Sequence, residues 1–84
     1  MQGAVDLQVR RGQAGLAAIR VYLFSGEGSY LGRYALTDSD GWVAFILPEG
    51  IYRFRADVEG AHYWASDVAV ALDQTATIEI DTEQ

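Results

Sequence analysis

The chain of 84 residues contains no cysteine, no lysine and no asparagine. Without cysteine it forms no disulfide and no thiolate-based metal or redox site. Without lysine and asparagine it provides no Schiff base, no P-loop lysine, no N-glycosylation acceptor and no Lys–Asn isopeptide cross-link. These absences exclude much of the chemistry that short sequence motifs usually reveal.

Histidine and positive charge are also scarce. His62 is the only histidine, so a two-histidine metal site does not fit within one chain, and no sequence pattern brings His62 together with the serine and aspartate of a catalytic triad. Six basic residues, all arginine, stand against twelve acidic ones, for a formal net charge of −6. Nucleic acids and anionic membranes bind basic patches, so neither is predicted as a partner. No spacing selects one carboxylate pair for acid–base catalysis, and we predict no enzymatic activity, no cofactor and no metal site.

Long apolar runs are missing too. No segment approaches the roughly 18 consecutive apolar residues of a membrane span. Residues 1–12 lack the pattern of a signal peptide, so we expect any secretion signal to lie outside this chain. With 50% hydrophobic residues, the chain has enough apolar surface for one domain that is stabilised by packing alone.

Apolar residues recur at every second position through most of the chain, which predicts strands. Glycine-containing turns at residues 12–15, 25–29, 37–41, 48–50 and 58–60 separate them. The predicted strands are Ala4–Val9, Ala18–Phe24, Tyr30–Leu36, Trp42–Leu47, Ile51–Asp57, His62–Leu72 and Thr75–Ile80. Short strands at spacings of about ten residues are typical of a seven-stranded, antiparallel, Ig-like β-sandwich.

Residues 17–57, AAIRVYLFSGEGSYLGRYALTDSDGWVAFILPEGIYRFRAD, carry a T-D-x-D-G turn, an apolar strand and an L-P-x-G-x-Y motif in that order. This order resembles the carboxypeptidase regulatory-like modules of the transthyretin (prealbumin) superfamily, and the resemblance extends over about residues 7–80. It implies a Greek-key sandwich and a tandem or self-assembling module of a bacterial extracellular or surface protein. The related collagen-adhesin B-type modules often carry an isopeptide bond, which this composition excludes.

The segment from Asp38 to Gly41 permits two interpretations. Carboxylates two residues apart beside a glycine resemble the start of a calcium loop. However, the ligand positions that would follow fall on the predicted strand 42–47, which cannot wrap an ion. We therefore interpret Asp38 and Asp40 as turn residues of a tight hairpin whose side chains cap backbone amides.

Two predicted strands are apolar on both faces, although an open antiparallel sandwich usually presents a polar outer face. Either the chain's own loops cover the second face, or a neighbouring copy or module does. The residues predicted to form such an interface are Tyr22, Phe24, Trp42, Ile46, Tyr63 and Trp64. A second route to assembly is pairing at exposed sheet edges, for which the first and last strands are the candidates.

The sequence leaves three functions from different classes open. The favoured one is a non-enzymatic structural module that forms a stalk or fibre with neighbouring copies. The alternative is a carbohydrate-binding module that stacks sugars on Tyr22, Tyr34, Trp42 or Trp64, which requires exposed, coplanar rings. An enzyme is the least supported, because it needs a pocket with perturbed ionisable groups.

Overall fold

The structure is a computed structural model that describes residues 2–82. Over that range the chain forms eight strands, and no helix there could span a membrane. The strands are β1 (Gln2–Arg11), β2 (Ala14–Gly15), β3 (Arg20–Ser25), β4 (Tyr30–Leu36), β5 (Trp42–Pro48), β6 (Gly50–Val58), β7 (Ala61–Val70) and β8 (Thr75–Asp81). The all-β sandwich is confirmed, with one strand more than predicted because the turn after β1 adds the two-residue β2.

The first sheet is built around β1. Residues 2–8 of β1 pair antiparallel with residues 42–48 of β5, and residues 4–10 pair parallel with residues 75–81 of β8. β2 adjoins the end of β1. The prediction that the N-terminal strand is a free sheet edge is therefore wrong, because β5 pairs along one side of β1 and β8 pairs along the other. β8 has β1 as its one described partner, so the C-terminal strand is an edge.

The second sheet has the order β4-β3-β6-β7, and all its pairs are antiparallel. A bulge interrupts the β3–β4 ladder, where Leu23 pairs with Arg33 but Phe24 pairs with Tyr30. The chain changes sheet between β4 and β5 and again between β5 and β6. The turn at residues 37–41 thus connects the two sheets, and the expectation of a hairpin within one sheet is wrong.

The core lies between the inward faces of the two sheets. Phe45 of the first sheet and Phe54 of the second pack with ring centroids 5.3 Å apart. The guanidinium of Arg33 on β4 lies 5.9 Å from the Phe45 ring and covers the side of the sandwich there. The largest fully buried side chains are Phe54, Leu7, Leu23, Leu47, Val5, Val9 and Val21.

Two side chains hold the corners where the chain changes sheet. The buried hydroxyl of Thr37 donates to the carbonyl of Leu16 and accepts a 2.9 Å hydrogen bond from the amide of Ile19. Tyr52 donates its hydroxyl to the carbonyl of Pro48 at 2.8 Å, as in the tyrosine corner of other sandwiches. The T-D-x-D-G and L-P-x-G-x-Y motifs therefore stabilise these corners through the hydrogen bonds of Thr37 and Tyr52.

Candidate interaction surface

A row of side chains crosses the outer face of the second sheet from one edge to the other. The strand register sets Tyr34 opposite Tyr22, Tyr22 opposite Arg55, and Arg55 opposite Trp64. Successive side chains of a strand point to opposite faces. Because the neighbours of Tyr22 in β3 are buried in the core, this row faces outward.

Aromatic rings gather around this row. Phe24 lies with its ring centroid 4.9 Å from that of Trp64 and 5.4 Å from that of Tyr30. The ring centroid of Tyr22 lies 5.9 Å from that of Tyr30 and 5.5 Å from that of Tyr34. The β4 bulge matters here, since it brings Tyr30 opposite Phe24 on the outer face. We call this group the aromatic–arginine cluster; its members are Tyr22, Phe24, Tyr30, Tyr34, Arg55 and Trp64.

Arg55 occupies the centre of the cluster. Its guanidinium carbon lies 4.9 Å from the Tyr22 ring centroid, 5.5 Å from that of Phe24 and 5.8 Å from that of Trp64. All three distances fall within the range of cation–π attraction. Asp57 fixes the guanidinium from the side, because its two carboxylate oxygens accept bonds of 2.9 and 3.2 Å from Nε and an Nη. The charged centre of the cluster is thus held in place before any partner arrives.

His62 extends this network along the same face. Its Nδ1 lies 2.7 Å from the Asp57 carboxylate oxygen that also accepts from Arg55. The structure places His62 at the surface, on β7. It therefore supports the orientation of Asp57, and through Asp57 that of Arg55.

Within residues 2–82, no loop covers this face. Tyr30, Tyr34 and Trp64 retain 49%, 54% and 49% of their accessible surface. Leu31 and Leu36, also on β4, are similarly exposed. A contiguous exposed apolar patch on a small soluble domain commonly marks a contact surface.

The residues predicted to form an interface lie in three different places, two outer faces and the core. Trp42 and Ile46 are on the outer face of the first sheet, opposite Gln8 and Ala4 of β1. Tyr63 points inward, where it packs against the core. The members that belong to the aromatic–arginine cluster are Tyr22, Phe24 and Trp64.

Sequence reasoning missed Arg55 and Tyr30 and considered Tyr34 only as a stacking platform for sugars. The alternation of Arg53 and Arg55 with apolar residues in β6 does predict that these arginines face outward. Only the strand order, with β6 between β3 and β7, places Arg55 among aromatic rings.

The outer face of the first sheet has a different character. Asp6, Asp38 and Trp42 line an open depression of about 250 Å³ on this side. Nearby, Arg10 and Glu79 form a 3.1 Å ion pair between β1 and β8. Thr75, Thr77, Glu79 and Asp81 of β8 also lie on this face, and Trp42 and Ile46 are its large apolar residues.

Asp38 has the turn role expected of it. Its Oδ1 accepts hydrogen bonds from the amides of Asp40 and Trp42 at 2.9 and 3.0 Å. The amide of Gly41 completes the turn by donating a 3.0 Å hydrogen bond to the carbonyl of Asp38. The side chain of Asp38 is thus engaged with backbone amides. Within residues 2–82 no three potential metal-ligating side chains cluster.

Comparison with solved structures finds this fold in parts of larger bacterial proteins. The chain matches the TIE protein of Bacillus anthracis at a TM-score of 0.70 and 13% identity, over 96% of this chain and 16% of that one. It matches BcpA, the major pilin subunit of Bacillus cereus, at 0.68 and 17%, over 96% and 30%. A DUF3823 family protein from Parabacteroides merdae matches at 0.67 and 16%, over 95% and 45%.

The likeness is one of fold. The chain spans less than half the length of each of these proteins, and at such low identity the match carries the β-sandwich architecture alone. No protein-family model matches the sequence, and no curated protein matches it by sequence. The relation to carboxypeptidase regulatory-like modules thus stays a prediction.

Proposed function

We propose that this chain is a non-enzymatic structural module of a bacterial extracellular or surface protein, which builds a stalk or fibre through contacts with neighbouring copies. The observation that carries the proposal is the aromatic–arginine cluster. It leaves Tyr30, Tyr34 and Trp64 about half exposed on a sheet face. The core of the sandwich is filled by other side chains, so this apolar surface is not needed for folding the module itself.

The solved structures support the same proposal at the level of fold. One of them is the major pilin subunit of Bacillus cereus, in which the matching part makes up 30% of the chain. A sandwich of this kind therefore occurs as a unit within a fibre-forming protein. By analogy of fold we extend this use, and an extracellular or surface location, to the present chain.

The cluster is less well suited to carbohydrate. Sugar rings stack on exposed aromatic platforms, and a shared platform needs rings that lie nearly in one plane. Here Tyr22 is tilted by 37° from Tyr34 and by 68° from Tyr30, and Phe24 by 55° from Trp64. Arg55 also fills the centre of the cluster with charge.

Light scattering on the purified 84-residue chain, with electron microscopy of the same sample, tests the proposal. We expect ordered oligomers or fibres whose formation depends on protein concentration. A chain that stays monomeric at high concentration would contradict self-association. A glycan-binding screen would then compare the unaltered chain with Trp64→Ala and Tyr34→Ala.

A further inference from the structure

The charges of this module are divided between its two outer faces. Four of the six arginines lie in strands of the second sheet. Arg20, Arg53 and Arg55 alternate with the buried residues of β3 and β6, so they lie on its outer face, where Asp57 is their acidic neighbour. That face is positive and rich in aromatic rings, although the chain as a whole carries a formal charge of −6.

The outer face of the first sheet has the opposite sign. Asp6 of β1 and Glu79 and Asp81 of β8 alternate with buried or partly buried apolar residues and therefore lie on this face. Arg10 is the basic residue among them. Asp38 adds a further carboxylate beside Trp42, in the open depression described above.

We propose that copies of this module stack face to face, with the acidic outer face of the first sheet of one copy against the aromatic–arginine cluster of the next. This inference rests on the proposed function and specifies which surfaces meet. Charge complementarity selects the pairing, because attraction across an interface fixes the partner and its register. Exposed Trp64 and Tyr34 would then pack against Ile46, which is also exposed.

Such a contact is heterologous, since two different surfaces of the same chain meet. Each bound copy leaves one free face of either sign, so the contact repeats and produces an open array. The module measures 34 × 23 × 20 Å. Its broad face is close in area to the roughly 800 Å² that each partner contributes to a standard interface.

The main competing arrangement pairs two aromatic–arginine clusters with each other. That contact is symmetric, and it stops at a dimer. It would also bring Arg20, Arg53 and Arg55 of both copies together, which costs electrostatic energy. The two arrangements therefore respond in opposite ways to a change of charge on one face.

The test uses two single charge reversals, Arg20→Glu and Asp6→Arg. Arg20 is exposed at the start of β3, and Asp6 lies between Ala44 and Thr77 on the first sheet, so neither side chain is part of the core. Glu49→Arg, at an exposed position in the turn between β5 and β6 and outside both sheet faces, serves as the matched charge control. Circular dichroism and thermal unfolding establish that each variant remains folded.

We expect each reversal alone to raise the concentration at which assembly begins by roughly tenfold or more, because like charges then face each other. We expect an equimolar mixture of the two variants to assemble as alternating copies, since each altered face then meets a face of opposite charge. Increasing salt should weaken assembly of the unaltered chain.

Three results would overturn this arrangement. If Arg20→Glu strengthens association while Asp6→Arg has no effect, the clusters pair with each other. If assembly persists unchanged in both variants, another surface is used, and the proposed function still holds. If the unaltered chain stays monomeric, both the face pairing and the self-associating function fail.

Discussion

Gly41 provides the sharpest test of how the corner between β4 and β5 is built. Its φ is +86°, a conformation that side-chain-bearing residues rarely adopt. A Cβ atom there would overlap the carbonyl oxygen of Val9, and would lie 2.8 Å from the amide nitrogen of Leu16 and 2.9 Å from Cα of Gly15. All three are backbone atoms, so the strain cannot be relieved by rotating a side chain.

The expected loss of stability in Gly41→Ala has two parts. The left-handed conformation costs alanine about 1–2 kcal/mol, partly offset by about 0.4–1 kcal/mol from the stiffer unfolded chain. Forced overlap in a packed region adds about 1–3 kcal/mol. We therefore expect a total of about 2–4 kcal/mol, which would lower the Tm of a domain of this size by ~8–32 °C.

Gly60→Ala is the matched control, because it changes the same residue type at nearly the same φ. Gly60 has a φ of +83°, and nothing lies within 4 Å of an added Cβ. It should lose only the conformational part, about 1 kcal/mol. Thermal and urea unfolding, followed by circular dichroism, measure both variants. Equal losses in the two would refute the close backbone contact at Gly41.

Three further predictions concern the corners of the fold. Thr37→Val should lose about 1–3 kcal/mol of unfolding free energy, since its hydroxyl makes two buried hydrogen bonds. Tyr52→Phe should lose about 0.5–1.5 kcal/mol, because it removes the bond to the Pro48 carbonyl. Millimolar calcium should leave the Tm unchanged, because the Asp38 carboxylate is already bonded to the amide of Asp40.

Each of these predictions has its own check. Thr37→Ser keeps the hydroxyl and should retain most of the stability, so equal losses in Thr37→Ser and Thr37→Val would contradict the hydrogen-bond argument. If Tyr52→Phe unfolds at the same temperature as the unaltered chain, the hydrogen bond from Tyr52 to Pro48 does not stabilise the corner. A calcium-induced rise in Tm of several degrees, abolished in Asp38→Asn, would restore the calcium interpretation.

Much of the fold could be read from alternation and turn residues. The bounds of β4, Tyr30–Leu36, were predicted as they are observed, because glycine- and aspartate-rich turns flank the strand on both sides. The inward positions of β1, which are Val5, Leu7 and Val9, also follow from their alternation with Asp6 and Gln8. Alternation reports which face a side chain occupies but not which strand lies beside it. The central position of β1 and the parallel pairing of β1 with β8 therefore could not be predicted from the sequence.

The same limit applies to the interaction surface. Tyr22, Phe24 and Trp64 stood out because they are large and apolar. Arg55 looked like an ordinary solvated charge, since its role depends on register: β6 sets it between Tyr22 of β3 and Trp64 of β7. Contacts between residues so far apart in the chain arise from strand order, which no local pattern encodes.

The parallel pairing of β1 with β8 determines how this module would respond to tension. Because the two strands run in the same direction, residue 2 lies near one pole of the sandwich and residue 82 near the other. A pull between these residues draws β1 and β8 past each other lengthwise. All seven paired positions then bear the load together, whereas a hairpin pulled at its open end would lose its hydrogen bonds one at a time.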